Sequence, residues 1–278
     1  MAPRIEIETL HLFPVLDELL ISLLSELTDD EWGLQTVAKL WKVKDVAAHL
    51  LDGNLRGLST SRDNYFGESA GNINSQEDLV KYLNGLNLSW TDALKRLSPK
   101  VLISLLQNSG KEYTTHLQSL NPFENAIFPV AWAGQTESPN WFHIAREYTE
   151  RFLHQQQIRD ATGRPGLMKR ELFYPFIDTL MCALPYTFRN NSADEGTIVS
   201  VVITSEIGGR WNLVQSNSQW NLTRDLDLKP SAAVKIDPDT AWKLFSKSWS
   251  PDHVIDLVDI QGDQVLGKQL LKMVSVMA

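Results

Sequence analysis

One stretch of the chain carries four ionisable side chains with the spacing of a single helix face. They are His143, Glu147, Glu150 and His154. At about 100° per residue, these side chains fall within roughly 60° of one another around a helix axis. Such a polar face is most often exposed to solvent, yet the apolar residues of the same stretch define no clear core stripe opposite it. The pattern leaves open whether the face points outward or into the protein.

Two of these residues are spaced to share a metal ion. Glu150 and His154 lie about 6 Å apart along a helix axis, so the tips of their side chains can converge on one point. His143 lies about 16 Å from His154 by the same measure and is too distant to join them. Glu147, about 10 Å away, is predicted either to support a ligand or to form a surface pair with Arg151. By spacing alone, Glu-x-x-x-His is also an ordinary pair on a helix surface.

His49 lies on an earlier predicted helix, in a setting that favours an inward-facing side chain. Residues 44–51 place small and apolar side chains on both sides of it, which suits a turn that faces a helical core. Helical bundles commonly build metal sites from ligands on facing helices. Three nitrogen and oxygen ligands leave coordination positions open for water or substrate. His116 is a weaker candidate ligand, because a lone histidine is more often exposed or hydrogen-bonded internally.

Apolar residues recur at three- and four-residue intervals through most of the first 165 residues, which is typical of amphipathic helices. Gly163 followed by Pro165 is a signal that ends the last of these helices. The predicted helices cover about 5–27, 43–61, 75–97, 99–120 and 140–161. We therefore expect an all-helical domain over residues 1–165.

The sequence pattern changes after residue 165. One further helix is predicted over 168–188, and β-branched runs then alternate with turn signals at Gly208–Gly209 and Asn217–Ser218. Strands are predicted over 197–204, 211–215, 231–236 and 254–261, with a short helix through Trp242 and Phe245 and a terminal helix over 265–276. These elements predict a small α+β domain over residues 166–278, so the fold class of the chain is α+β.

Composition argues against several classes of function. Of the 278 residues, 43% are hydrophobic, which suits a folded protein with buried cores. The 26 basic and 34 acidic side chains give a formal charge of -8, which disfavours nucleic acid as a partner. The single cysteine, Cys182, excludes an intrachain disulfide. The chain lacks a secretory signal pattern and an apolar run of roughly 20 residues, so a cytoplasmic protein without membrane contact is expected.

Three short motifs resemble those of a known family. They are W-x-V-x-D-V-A-A-H-L over 41–50, R-E-x-x-E-x-x-x-H over 146–154 and I-R-D-A-x-G over 158–163. Together they resemble the mycothiol-dependent maleylpyruvate isomerase family, within the DinB-like superfamily of metal-binding four-helix bundles. The resemblance covers nearly the whole chain, since family members join such a bundle to a small sterol-carrier-like α+β domain. One departure is Lys42, which stands where the family often has a helix-capping Thr or Ser, so the cap must come from elsewhere.

The resemblance implies a site and a reaction class. His49, Glu150 and His154 take the three protein-ligand positions for a divalent ion, usually zinc, although such ligands also admit nickel, iron or manganese. A low-molecular-weight thiol such as mycothiol and a small electrophilic substrate are the implied partners. The family uses an arginine from the second domain on its acidic substrate, and Arg210 and Arg224 are the candidates here. The implied activity is that of a thiol-dependent isomerase or thiol transferase.

Two other functions are compatible with the same ligands. One is a non-catalytic bundle that keeps its metal site and binds an apolar ligand or a partner, and the absence of an obvious general base beside the ligands favours it. Nine tryptophans would suit an aromatic groove, although tryptophans in a small domain usually fill its core. The other is a metal-dependent hydrolase, in which a metal-bound water attacks an amide.

Overall fold

The computed structural model describes residues 4–67, 71–224 and 229–275, which form two compact units. The first unit takes the described residues of Met1–Ile127 together with Pro139–Gly166. The second takes Phe128–Ser138 together with the described residues of Leu167–Val276. Helices form the first unit, and the second combines helices with a sheet, so the predicted α+β class is confirmed.

The helices of the first unit match the predicted pattern, with one clear difference at the start. They are α1 (Phe13–Ser25), α2 (Val43–Gly57), α3 (Gln76–Leu94), α4 (Pro99–Ser119) and α5 (Asn140–Thr162). Helix α1 begins at Phe13 and not near residue 5, because Pro14 is accepted only in the first turn of a helix. A π-helical turn, Leu58–Arg62, continues α2.

Local signals in the sequence explain where three helices begin or end. The backbone N–H of Lys42 donates to the carboxylate of Asp45 at 3.0 Å, which supplies the cap that α2 needed from elsewhere. The Ser75 hydroxyl accepts from the backbone N–H of Asp78 at 3.1 Å and opens α3 as predicted. Gly163 ends α5 in the left-handed conformation, with φ of 65°.

Helix α2 lies at the centre of the first unit, packed against α3, α4 and α5. Its residues Ala47 and Ala48 are buried and small, so neighbouring helices approach closely beside His49. The apolar core around α2 consists of Leu20, Leu23, Leu24, Trp32, Val43, Val46, Ala47, Ala48, Leu50, Leu51, Leu94, Leu102, Leu106 and Ile158. This core holds the turn of α2 that carries His49 against α5.

The second unit contains five short helices and one mixed sheet in its described residues. The helices are α6 (Arg170–Met181), α7 (Leu184–Thr187), α8 (Pro238–Phe245), α9 (Pro251–Val254) and α10 (Gln264–Leu270). The strands are β1 (Ile198–Ile203), β2 (Gly209–Ser216), β3 (Gln219–Arg224), β4 (Ala232–Ile236) and β5 (Asp259–Gly262). Their order is β3-β2-β1-β4-β5; β1 and β4 are parallel, and the other neighbours are antiparallel.

Three predicted elements of this unit differ from the structure, and one strand of the structure was not predicted. The helix predicted over 168–188 is split into α6 and α7, and the strand over 254–261 is shortened to β5 because Ser250 and Pro251 open α9. Strand β3 was not predicted; its sequence is mainly polar because it lies at the sheet edge. Helix α10 ends at Leu270, and the last residue of the predicted 265–276 helix lies outside the described residues. The tight turn predicted at Asn217–Ser218 joins β2 to β3 with positive φ at both residues.

Within the described residues, every helix is too short or too polar to cross a lipid bilayer.

Candidate metal centre

Three side chains from two helices of the first unit meet in one place. His49 on α2 and Glu150 and His154 on α5 each offer one potential ligand atom, and these atoms lie within 4.8 Å of one another. Among the described residues, this is the one group of three His, Cys, Asp or Glu side chains that meets this condition. The two helices are in direct contact, which brings the three residues together.

Each nitrogen of the His154 imidazole has a neighbour on its own helix. Nε2 lies 3.2 Å from Oε2 of Glu150, and Nδ1 lies 2.9 Å from Oε1 of Gln157. The His154 side chain is 9% exposed, whereas the Glu150 side chain is 29% exposed. The carboxylate therefore lies on the open side of the group, and the imidazole lies beneath it.

His49 is enclosed by aromatic rings. Its ring centroid lies 4.6 Å from that of Trp41 and 4.6 Å from that of His154, the latter in an edge-on arrangement of 78°. Its Nδ1 is buried and has no hydrogen-bond partner among the described residues. Burial lowers the pKa of His49 well below its usual value, electrostatic interactions with His154 and Arg56 lower it further, and an interaction with the Asn87 side chain opposes them. His49 is therefore neutral at neutral pH and keeps a lone pair available to a cation.

Trp41 is positioned by a compact loop that precedes α2. The Gln35 side-chain amide lies within 2.9–3.2 Å of four backbone carbonyl groups of this loop, including that of Trp41. The Thr36 hydroxyl donates to the same Trp41 carbonyl at 2.7 Å. The indole ring then lies 5.7 Å from His154 as well as beside His49. The sequence motif includes Trp41, but the sequence did not predict that its ring lies beside His49 and His154. That position depends on hydrogen bonds within an irregular loop.

The polar face of α5 points into the protein. His143 is 3% exposed and His154 is 7% exposed. The spacing of the residues did not decide between an outward and an inward face, and the structure shows an inward one. Nη2 of Arg146 lies 3.1 Å from Nδ1 of His143 and also contacts the Glu147 carboxylate. Burial, reinforced by Arg146, lowers the pKa of His143 to about 4.

Glu147 does not form the surface pair with Arg151 that spacing allowed. It is bound by Arg146 and by the hydroxyl of Tyr113. Burial alone would raise the pKa of the Glu147 carboxyl, but Arg146, His143 and the Tyr113 hydroxyl lower it. Arg151 instead pairs with Asp17 on α1. The long-range contact with α1 could not be read from periodicity along α5.

His116 is hydrogen-bonded within the protein and lies outside the group of three. Its Nε2 is 2.8 Å from the hydroxyl of Ser61, in the π-helical turn after α2. His116 is buried, as expected for a histidine hydrogen-bonded within the structure.

Arg210 and Arg224 lie on β2 and β3 of the second unit. Nε of Arg224 donates to the Asp178 carboxylate at 2.6 Å, and the Trp211 indole donates to the same oxygen at 2.7 Å. Arg224 thus belongs to a hydrogen-bond network internal to this unit. A substrate-binding role for either arginine stays a prediction.

The residues of the group of three fit a divalent cation. The Gln157 oxygen can only accept a hydrogen bond, so the neutral tautomer of His154 that fits this contact has its proton on Nδ1 and directs the lone pair of Nε2 at the Glu150 carboxylate. In that tautomer the two acceptors, 3.2 Å apart, repel each other, and a metal cation or a proton between them removes the repulsion. His49 offers a third potential ligand atom within 4.8 Å of the other two. This set of two imidazoles and one carboxylate is typical of metal sites.

A helical bundle with an inward-facing His/Glu/His group, joined to an α+β unit, is consistent with the DinB-like class of four-helix-bundle proteins. The model of the mycothiol maleylpyruvate isomerase N-terminal domain family matches residues 14–159, more than half of the chain. The chain therefore belongs to this family, as its motifs predicted.

Solved structures agree with this assignment at the level of the fold. A crystal structure of a histidine-to-alanine mutant of the mycothiol-dependent maleylpyruvate isomerase is similar with a TM-score of 0.55 and 14% identity, over 93% of each chain. A second crystal structure of the mycothiol-dependent maleylpyruvate isomerase gives a TM-score of 0.53 and 14% identity, again over 93% of each chain. No match is found among the curated proteins.

Proposed function

We propose that this protein is a metal-dependent enzyme that uses a low-molecular-weight thiol to isomerise, or to transfer the thiol to, a small electrophilic substrate. The observation that carries the proposal is the convergence of His49, Glu150 and His154 within 4.8 Å, in a chain that belongs to the maleylpyruvate isomerase family. In this proposal residues 1–165 are the metal-binding domain, and residues 166–278 are a sterol-carrier-like domain that contributes to substrate binding.

His49, Glu150 and His154 would hold one divalent ion, with zinc as the first candidate. When bound, the ion supplies a Lewis acid that keeps a thiol in its thiolate form near neutral pH. Three protein ligands leave coordination positions free for such a thiol. The partly exposed carboxylate of Glu150 marks the side from which it would enter.

The surrounding residues would protect and orient this centre. Trp41 covers one side of both imidazoles and limits access of water there. Burial keeps His49 neutral, which a metal ligand requires. Arg210 and Arg224 are the proposed partners of an acidic substrate group, and replacing the responsible arginine by Met would raise KM for that substrate more than it changes metal content.

The proposed isomerisation needs no external oxidant or reductant. The thiolate sulfur adds to one carbon of a cis double bond conjugated to a carbonyl group, and the π electrons move onto the carbonyl oxygen. The former double bond is now single and rotates. The electrons then return, the C–S bond breaks, and the trans isomer leaves with the thiolate regenerated. Transfer to another such electrophile would use the same first step; the enolate would then take a proton from water on carbon, and the C–S bond would be retained.

Metal analysis combined with thiol assays tests the proposal. We expect one equivalent of divalent metal in the purified wild type and its loss in His154→Ala, whereas His116→Ala, outside the group, keeps the metal. Calorimetry with mycothiol, glutathione and other small thiols should then show metal-dependent binding, followed by isomerase or transferase activity. A wild type without stoichiometric metal, or a His154→Ala variant that retains it, would show that the site is wrong. Metal binding without thiol binding would contradict the enzyme and leave a metal-binding bundle.

A further inference from the structure

We infer that Gln157 is a positioning residue that selects the metal-binding tautomer of His154. The inference rests on the metal site of the proposed function. Oε1 of Gln157 lies 2.9 Å from Nδ1 of His154, and both side chains are buried, at 4% and 7% exposure. In such an enclosed place water does not readily replace this hydrogen bond, so the amide controls which imidazole nitrogen carries the proton.

The amide can present either of two chemically different ends. With the oxygen toward His154, Nδ1–H donates to Gln157, and Nε2 directs its lone pair at Glu150, 3.2 Å away. With the amide turned by 180°, its NH2 group would donate to Nδ1, and the proton would move to Nε2. The Nε2–H group would then donate to Glu150, and Nε2 would have no lone pair for a metal. The first orientation, which the structure has, opens the site to a cation.

The two glutamines that precede Gln157 are buried too, but they make different contacts. Gln155, Gln156 and Gln157 are all buried. The side-chain amide of Gln155 donates to the Leu16 carbonyl at 3.4 Å, and the side-chain oxygen of Gln156 is buried without a hydrogen-bond partner among the described residues. Only Gln157 of the three is hydrogen-bonded to His154. Gln156 therefore offers a matched control on the same turn of α5.

Three variants show whether zinc binding depends on the hydrogen-bond acceptor of Gln157 or only on the space that its side chain fills. Gln157→Met keeps the length of the side chain but removes the acceptor. Gln157→Glu, when ionised, keeps an acceptor that cannot turn into a donor. Gln156→Met removes a buried glutamine whose side-chain oxygen is not hydrogen-bonded to His154. Zinc affinity would be measured by competition with a chromophoric chelator, and ligand geometry by the visible absorption of the cobalt-loaded protein.

Loss of the acceptor should weaken zinc binding in Gln157→Met by about 10- to 100-fold, as is typical for groups that orient a metal ligand. It should also change the cobalt spectrum. Gln157→Glu should restore wild-type affinity or exceed it, and Gln156→Met should leave affinity and spectrum unchanged. Thermal unfolding of each metal-free variant separates loss of affinity from loss of folding.

The outcomes distinguish this inference from the proposed function. If the wild type binds no zinc, the proposed site fails first. If the wild type and Gln157→Met bind zinc equally well, the metal site stands and the role of Gln157 is overturned. The role of Gln157 is also overturned if Gln157→Glu binds zinc as weakly as Gln157→Met. Long-range 15N NMR of the metal-free wild type, at a pH where the His154 imidazole is neutral, gives a test that needs no variant: we expect the proton on Nδ1, and a proton on Nε2 would refute the inference.

Discussion

The indole of Trp41 packs against the imidazole of His49, with 4.6 Å between the ring centroids. Because Trp41 also lies 5.7 Å from His154, a paramagnetic ion at the proposed site would be close to its ring. We predict that Co²⁺ or Ni²⁺ quenches part of the tryptophan fluorescence and that quenching saturates at one equivalent. Trp41→Phe should reduce this response while keeping the metal; Trp90, which donates to the Ala48 carbonyl at 2.8 Å, would supply a remaining part.

Trp141→Phe is the matched control for this measurement. Trp141 lies on the same helix as Glu150 but nine residues earlier, about 14 Å along the axis, and it stacks on Phe142. The variant should retain the metal-dependent quenching of the wild type. Equal quenching in Trp41→Phe and the wild type would place the ion away from Trp41.

Glu150→Gln should abolish the stabilisation that a bound metal gives. A ligand that binds only the folded protein adds about 2.7 kcal/mol of stability at 100 times its Kd, which corresponds to a rise in Tm of about 5–10 °C for a domain of this size. We expect this rise on adding zinc to the metal-free wild type, monitored by calorimetry. Glu18→Gln, which changes an exposed carboxylate on α1, should show the same rise. A full rise in Glu150→Gln would exclude Glu150 as a ligand.

Periodicity along α5 was sufficient to predict that Glu150 and His154 converge, because both lie in one regular helix. It could not predict that their face points inward, since that depends on partners far away in the sequence. The Tyr113 hydroxyl on α4 is hydrogen-bonded to Glu147. Asp17 on α1 forms an ion pair with Arg151, which therefore does not pair with Glu147. These contacts give the charged side chains of α5 hydrogen-bond and ion-pair partners, so this helix face can be buried.

Irregular and edge elements were the other parts that the sequence did not predict. Trp41 reaches the two histidines through a loop held by Gln35, and no repeating pattern predicts such a loop. Strand β3 escaped prediction because an edge strand has a polar side and no continuous apolar run. The helix starts at Ser75 and Pro99 were predicted well because capping depends only on neighbouring residues.

His143 should make the metal-free protein sensitive to acid. Its pKa is lowered to about 4 in the folded state, so the unfolded chain binds a proton first as the pH falls. Its contribution to stability is therefore complete above the unfolded pKa and is lost as the pH falls toward the folded pKa. We expect a loss of about 2 kcal/mol from this group between pH 8 and pH 5.

Urea unfolding at both pH values, in the presence of a chelator, measures this effect. His143→Gln should unfold with a smaller pH dependence than the wild type, by about the same 2 kcal/mol. Burial also lowers the pKa of His49, so some pH dependence should remain in the variant. An identical pH dependence in the wild type and His143→Gln would contradict a neutral, buried His143.

Two glycines of α2 should respond in opposite directions to the same substitution. A Cβ at Gly57 would lie 2.5 Å from Cε2 of Tyr113, whereas a Cβ at Gly53 has no neighbour within 4 Å among the described residues. The Tyr113 ring cannot easily move, since it is buried and its hydroxyl binds Glu147. Gly57→Ala should therefore lower the free energy of unfolding by about 1–3 kcal/mol.

Gly53→Ala, in contrast, should raise the free energy of unfolding by up to about 1 kcal/mol, because alanine favours a helix over glycine. Chemical unfolding of both variants in the metal-free state gives the comparison. A double variant, Gly57→Ala with Tyr113→Leu, should cost less than the two single changes added together, because the smaller side chain removes the clash. Strict additivity, or a Gly57→Ala variant as stable as Gly53→Ala, would mean that α2 and α4 are not packed as closely as Gly57 and Tyr113 require.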